Sequence, residues 1–108
     1  MADVQRILQR ILDRFSDPAV QASLKGFSKT LLFKFRDTRE DWLVRFAGTG
    51  ATFAQETLDK PDITVTTTSD VLAGVMDRKI NGMTAYMQRK IQTKGAMEDL
   101  MKLQKLML

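Results

Sequence analysis

Val4, Ile7, Leu8, Ile11, Leu12 and Phe15 recur at i, i+3, i+4, i+7, i+8 and i+11, so a helix over this stretch carries one continuous apolar stripe. Arg6, Arg10 and Arg14 stand four apart on another face, where like charges cost a little helix stability and where either water or a membrane surface would receive them. Asp17-Pro18 restarts the chain, with Asp17 placed as an N-cap and Pro18 at the first helical position, where its missing N–H costs nothing. A short helix through Leu24 follows and Gly26 ends it.

The period then changes from 3.6 to 2. Leu31, Phe33 and Phe35 alternate with Leu32, Lys34 and Arg36, the pattern of a strand with one buried and one wetter face. After a polar loop over Asp37 to Asp41, Trp42, Val44 and Phe46 alternate with Leu43 and Arg45. Gly48-Thr49-Gly50 supplies a turn, and Ala51 to Glu56 forms a weaker third strand, so three strands joined by short loops should pair as an antiparallel meander. The β-branched run Ile63 to Thr67, just after Pro61, is a fourth strand.

Ser69 is expected to cap a helix that starts at Asp70, whose carboxylate suits the positive N-terminal end. Val71, Leu72, Val75 and Met76 give that helix its core stripe. Asn81-Gly82 marks a turn or a helix start, and Met83, Tyr86 and Met87 form one face of a further short helix that continues the apolar surface of Val75, Met76 and Ile80. Ile91 to Lys94 is a fifth strand ended by Gly95. The final helix, Ala96 to Met107, directs Met97, Leu100, Met101 and Leu103 toward the protein, with Leu106 and Met107 after them. It lacks a capping side chain, so its start depends on Gly95 and on Glu98 and Asp99 in the first turn. The succession predicts one α+β domain over residues 1–108: a five-stranded, mostly antiparallel sheet with its helices gathered on one face.

Composition sharpens the last third. Six of the seven methionines lie from Met76 to Met107, and seven of the last twelve residues are Met or Leu. Methionine fills irregular apolar space, so the stretch is either a methionine-rich core or the lining of a pocket. So broad an apolar arc needs the sheet beneath it and a ligand or a dimer partner beside it. From Arg78 to Lys105 seven basic residues face two acidic ones, in a chain of net charge +4. That excess suits an anionic membrane surface, a ligand headgroup or a solvated face.

The chain has no Cys and no His, which removes disulfides, the usual zinc sites, thiol nucleophiles and Ser-His triads. Thr66 to Ser69 has no activating base in sequence, and Asp70, Asp77, Lys79 and Tyr86 are loose catalytic candidates that no motif joins, so no enzyme and no cofactor are expected. Phe33, Phe35, Trp42 and Phe46 belong on a buried face, and no nucleic-acid motif accompanies them, so nucleic acid is not an expected partner. No run of eighteen apolar residues exists, and the amphipathic N-terminus has no signal-peptide pattern.

Ala85 to Met107 resembles the closing segment of the sterol carrier protein 2 family, in an aromatic residue, a Gln, a Lys-led strand, a Gly and a final helix with Met and Lys-Leu. Here those positions are Tyr86, Gln88, Lys90, Ile91, Gly95, Met97, Lys102 and Leu103. Arg89 stands where the family usually has Gly, Thr93 where it has an aliphatic residue, and Ala96 where it has Asp or Asn. The resemblance implies an apolar tunnel between sheet and helices that binds, and could transfer, a fatty acid, fatty acyl-CoA, sterol or other lipid. Its expected walls are Phe33, Phe46, Val75, Met76, Ile80, Met83, Met87, Met97, Leu100 and Met101, with Gln88 carried over as the polar group near a ligand headgroup. The alternative is a non-catalytic accessory or dimerisation module that meets a homodimer mate or a partner protein through the C-terminal helix. The chain ends in Leu-Met-Leu rather than a Ser-Lys-Leu peroxisomal address, which points to the cytoplasm.

Overall fold

The computed structural model describes residues 3–23, 26–47 and 50–107, apart from the side chains of residues 15, 23 and 103–107. The expected turn at 48–49 and the side chains of Leu103, Leu106 and Met107 therefore lie outside the described residues. The elements run α1 (Val4–Phe15), α2 (Pro18–Ser23), β1 (Thr30–Phe35), β2 (Glu40–Ala47), β3 (Gly50–Ala54), β4 (Ile63–Thr67), α3 (Ser69–Met76), α4 (Gly82–Met87), β5 (Gln92–Gly95) and α5 (Met97–Met107).

Asp3 caps α1 by accepting from the Arg6 N–H at 3.3 Å, and Asp17 accepts from the Ala19 N–H at 2.8 Å at the head of α2. The cap of α3 is a correction: Thr68, not Ser69, accepts from the Val71 N–H at 3.2 Å, and the helix begins one residue early. Ser69 is drawn elsewhere. It is fully buried and its hydroxyl donates to Asp37 Oδ2, while its N–H and that of Thr38 donate to Asp37 Oδ1, each at 3.0 Å. The loop between β1 and β2 is thereby fastened to the start of α3.

The sheet order is β3-β2-β1-β4-β5. Three of its four pairings are antiparallel, and β1 pairs with β4 in parallel, Phe33 lying opposite Val65. β3 and β4 consequently run in the same direction, so residues 55–62 must return along the length of the sheet across one of its faces. Helices occupy the face that carries Leu31, Phe33, Phe35, Val44, Phe46, Ile63 and Val65, against which α1 sets Val4, Ile7, Leu8 and Ile11 and α3 sets Leu72 and Met76. The return therefore crosses the opposite face. This corrects the expectation of a uniformly wetter side: Leu32 and Leu43, direct cross-strand partners there, are both 1 % exposed.

The parallel pair is tied at its start. The Thr30 N–H and hydroxyl donate to Asp62 Oδ2 at 2.8 and 3.0 Å, and the Asp62 N–H donates to Thr30 Oγ1 at 3.0 Å. The Thr30 N–H is the leading cause that holds the Asp62 carboxyl below its ordinary pKa, helped against desolvation by the Thr30 hydroxyl and the charge of Lys29. At Asp37 desolvation pushes upward as the largest single influence, and the hydrogen bonds from Ser69 and Thr38 together outweigh it, so that carboxyl too is lowered. A carboxyl depressed on folding contributes stability that is present above its unfolded pKa, about 3.9, and lost as pH falls through the folded value. The urea midpoint is thus expected to stay level from neutrality to about pH 5 and to fall below it. Asp62→Asn should make that acid limb shallower, and an unchanged limb would remove Asp62 from the account.

Candidate functional site

The apolar layer between sheet and helices is built from residues on several elements. Phe33, in the central strand, is 1 % exposed and stacks on Phe35 with ring centroids 5.8 Å apart. Phe46 meets Phe27 edge-on at 5.4 Å. From the helical side, Met76 is buried in the same cluster, Leu100 is half-buried against it, and Val75 is buried on α3. Ile80 folds back over Gly74, so closely that a methyl added at Gly74 would lie 2.4 Å from Ile80 Cδ1. Met76 is thus a core residue, and the structure brings it together with Phe33, Phe46 and Leu100.

Four other methionines with described side chains do not join them. Met83, Met87, Met97 and Met101 are 53, 76, 72 and 61 % exposed, and Tyr86 is 51 % exposed. Two expectations about facing are therefore corrected. On α4 it is Ala85, 1 % exposed, that turns inward, and Met83, Tyr86 and Met87 turn out. On α5 the inward groups include Asp99, 8 % exposed with Oδ2 3.7 Å from Lys29 Nζ, and Lys102, whose Nζ lies 5.7 Å from the Phe27 ring centre. With these groups inward, Met97 and Met101 face away from the sheet. Gln88 is exposed at the end of α4, its N–H donating to Thr84 O at 2.9 Å.

Charge ties α1 to the end of α3. Arg10 reaches from α1 to Asp77 Oδ1 at 2.6 Å and to Met76 O at 3.2 Å, and Arg14 reaches Met76 O at 3.5 Å. Guanidinium groups at the C-terminus of α3 complement its negative end. Of the loose catalytic candidates, Asp77 is engaged in this pair, and Asp70, Lys79 and Tyr86 are exposed. A polar depression of about 410 Å3 runs along α1, lined by Asp3, Gln5, Arg6, Gln9, Arg10 and Asp13. It is a feature of the helix's charged face and not of the apolar layer.

A family model, the SCP-2 sterol transfer family, matches residues 8–108. This chain belongs to that family. No individually curated protein matches it by sequence. Among solved structures, a double mutant of the sec-alkylsulfatase PisA1, the enzyme known from Pseudomonas sp., superposes with a TM-score of 0.79 at 23 % identity over 97 % of this chain and 16 % of that one. The SCP-2 chain therefore spans a small part of that enzyme. A UbiJ-SCP2 ubiquinone synthesis protein gives 0.70 at 17 % identity over 93 and 86 % of the two chains. Palmitated SCP2L2 from Aedes aegypti gives 0.71 at 23 % over 98 and 95 %.

Within this SCP-2 fold the departure at Arg89 has a structural consequence. Arg89 has φ +61°, and Arg78 has φ +60°, a left-handed conformation that costs most residues about 1–2 kcal/mol and glycine nothing. Both close a helix in the same way. After α3, the Arg78 N–H donates to Val75 O at 3.1 Å and the Lys79 N–H to Gly74 O at 2.8 Å; after α4, the Arg89 N–H donates to Tyr86 O at 3.1 Å and the Lys90 N–H to Ala85 O at 2.9 Å. These are Schellman turns, whose left-handed position favours Gly. The signal was in the sequence as a recurrence, Met76-Asp-Arg-Lys-Ile80 and Met87-Gln-Arg-Lys-Ile91, eleven residues apart. Arg89→Gly is expected to stabilise the fold by about 0.5–1 kcal/mol, the relief of strain being partly offset by a freer unfolded chain. Thermal unfolding would show it as a rise of a few degrees.

Proposed function

We propose that residues 1–108 bind a hydrophobic ligand of the fatty acid, fatty acyl-CoA, sterol or other lipid class in the apolar layer between sheet and helices, without catalysing a reaction on it. The observation that carries this reading is the match to a sterol transfer family over residues 8–108. A palmitated relative with the same fold over 98 % of this chain supports a fatty acyl chain as one occupant. Phe33, Phe46, Val75, Met76, Ile80 and Leu100 would then form the deep wall, Met83, Met87, Met97 and Met101 an adaptable rim, and Gln88 a polar contact for a headgroup. Such a ligand gains about 25 cal/mol for each Å2 of apolar area it buries and needs few directional contacts, so selectivity would be low. Transfer between membranes follows from the same chemistry, since a carrier must release what it binds.

A second reading is favoured by one observation. In the alkylsulfatase the same fold is a small part of a much longer chain. An accessory module that docks a partner or a second copy through α5 would use the outward Met97 and Met101.

Native mass spectrometry of freshly purified protein separates the two. The ligand reading expects an adduct of a few hundred daltons that organic extraction removes and added palmitate restores. An unliganded mass with no uptake of palmitate or palmitoyl-CoA, together with a dimer in light scattering, would overturn it in favour of the module. Met101→Ala adds a finer test: at an exposed site it should leave stability within about 0.5 kcal/mol, so a several-fold loss of lipid affinity would mark a rim contact.

A further inference from the structure

Two arginines in left-handed backbone, both at positions where glycine would be free of strain, bracket one short helix. α4 has six residues and is about 9 Å long, so the Arg78-Lys79 turn at one end and the Arg89-Lys90 turn at the other lie close to its flanks. All four side chains are exposed, and among the described residues none of them is in an ion pair. Arg36 joins the second turn, its Nη2 donating to Lys90 O at 3.2 Å. Two carboxylates adjoining these cations in sequence are engaged, Asp77 beside Arg78 by Arg10 and Asp37 beside Arg36 by Ser69. Between the cations α4 turns Met83, Tyr86 and Met87 outward, each at least half exposed.

We propose that α4 and its two flanking turns dock this protein on an anionic lipid membrane. Each part of the surface fits that occupant. Flexible methionines adapt to disordered acyl chains, tyrosine favours the depth of the headgroups, and paired Arg and Lys at the rim meet the negative surface potential. A folded protein partner fits less well, because three partly exposed side chains offer far less than the roughly 800 Å2 that a stable interface takes from each side. The strain at Arg78 and Arg89 has a reason on this account: glycine would relax the turns and remove the charges. This docking surface is distinct from the three arginines on α1, of which Arg10 and Arg14 are turned onto the end of α3.

The test is flotation with phosphatidylcholine vesicles, with and without phosphatidylserine, at low and high salt. The wild-type chain should float with the anionic vesicles and be released by salt. The double variant Arg78→Gly with Arg89→Gly should fold more stably and yet bind about tenfold to thirtyfold more weakly, since two cations near such a surface are removed. Met83→Ser with Met87→Ser should also weaken binding, and Arg6→Gln on α1 should leave it unchanged. The proposal fails if the wild type ignores anionic vesicles, if the double glycine variant floats as the wild type does, or if Arg6→Gln has the larger effect. It also fails if the methionine variant instead shifts a dimer to monomer in light scattering, which would assign the face to a second copy. Flotation reads docking and native mass reads an internal ligand, so failure of either leaves the other standing.

Discussion

Phe33→Ala is expected to destabilise this protein by about 3–5 kcal/mol, the range for emptying a fully buried aromatic site. Phe33 is 1 % exposed in the middle strand of the sheet, with Trp42 and Val65 opposite it on the two neighbouring strands and Phe35 stacked beside it. Its ring faces the α1 and α3 side chains that close the core, so its removal leaves a cavity which strands cannot move inward to fill. A loss of this size takes a large share of the 5–15 kcal/mol typical of a small domain, and chemical denaturation will read it as a much lower urea midpoint at unchanged slope. A loss below about 1 kcal/mol would mean that the layer collapses freely around the gap. The comparison with Met101→Ala matters for function. Phe33→Ala strikes the folded core, so any loss of lipid uptake there comes together with a loss of stability, whereas Met101→Ala strikes a surface side chain and would lower uptake with stability unchanged.

Gly95→Ala should cost about 2–4 kcal/mol for a different reason. Gly95 ends β5 opposite Ile63 with φ +151°, and a Cβ built there would lie 2.9 Å from Asp62 O and 3.3 Å from Ile63 Cα. Both atoms belong to backbone, so no rotamer change relieves the clash and the β4–β5 pairing itself must open. The damage should be local first. Hydrogen exchange is expected to speed up along Gln92–Gly95 before the rest of the sheet, and the start of α5, two residues on, should lose its position. Gly26→Ala is the control. Gly26 also has positive φ, +79°, but nothing lies within 4 Å of its added methyl, so only the backbone strain of about 1–2 kcal/mol should appear. Equal effects at the two glycines would show that close approach of β4 to Gly95 contributes nothing.

The periodic elements were legible because their causes are local. The apolar stripe from Val4 to Phe15, the alternation through Leu31 to Phe35 and the Asp17-Pro18 start each depend on neighbours within a few residues, and α1, β1 and α2 form there. The resemblance carried by Ala85 to Met107 added the family, and the arrangement of the sheet and helices agrees with it. Other features depend on partners distant in the chain. The parallel β1–β4 pairing joins strands distant in sequence, and it sends the 55–62 return across the face that alternation marked as wetter, where Leu32 and Leu43 are buried. Ser69 had the composition of a cap, but Asp37, thirty-two residues away, captured it and left the cap to Thr68.

By itself the sequence determined the element types, their order, the excess of positive charge in the last third and the absence of thiol and imidazole chemistry, since each is a property of residue identity and short-range spacing. Only the tertiary structure decided which way α4 and α5 face. Hydrophobicity alone turns Met83, Met87, Met97 and Met101 inward, but the six residues of α4 have too little apolar surface to dictate its rotation, and α5 is turned by groups other than its methionines. On α4 the small Ala85 packs inward, and on α5 the contacts of Asp99 with Lys29 and of Lys102 with Phe27 set the angle. The methionines are left on the outside, where a ligand, a membrane or a partner can reach them.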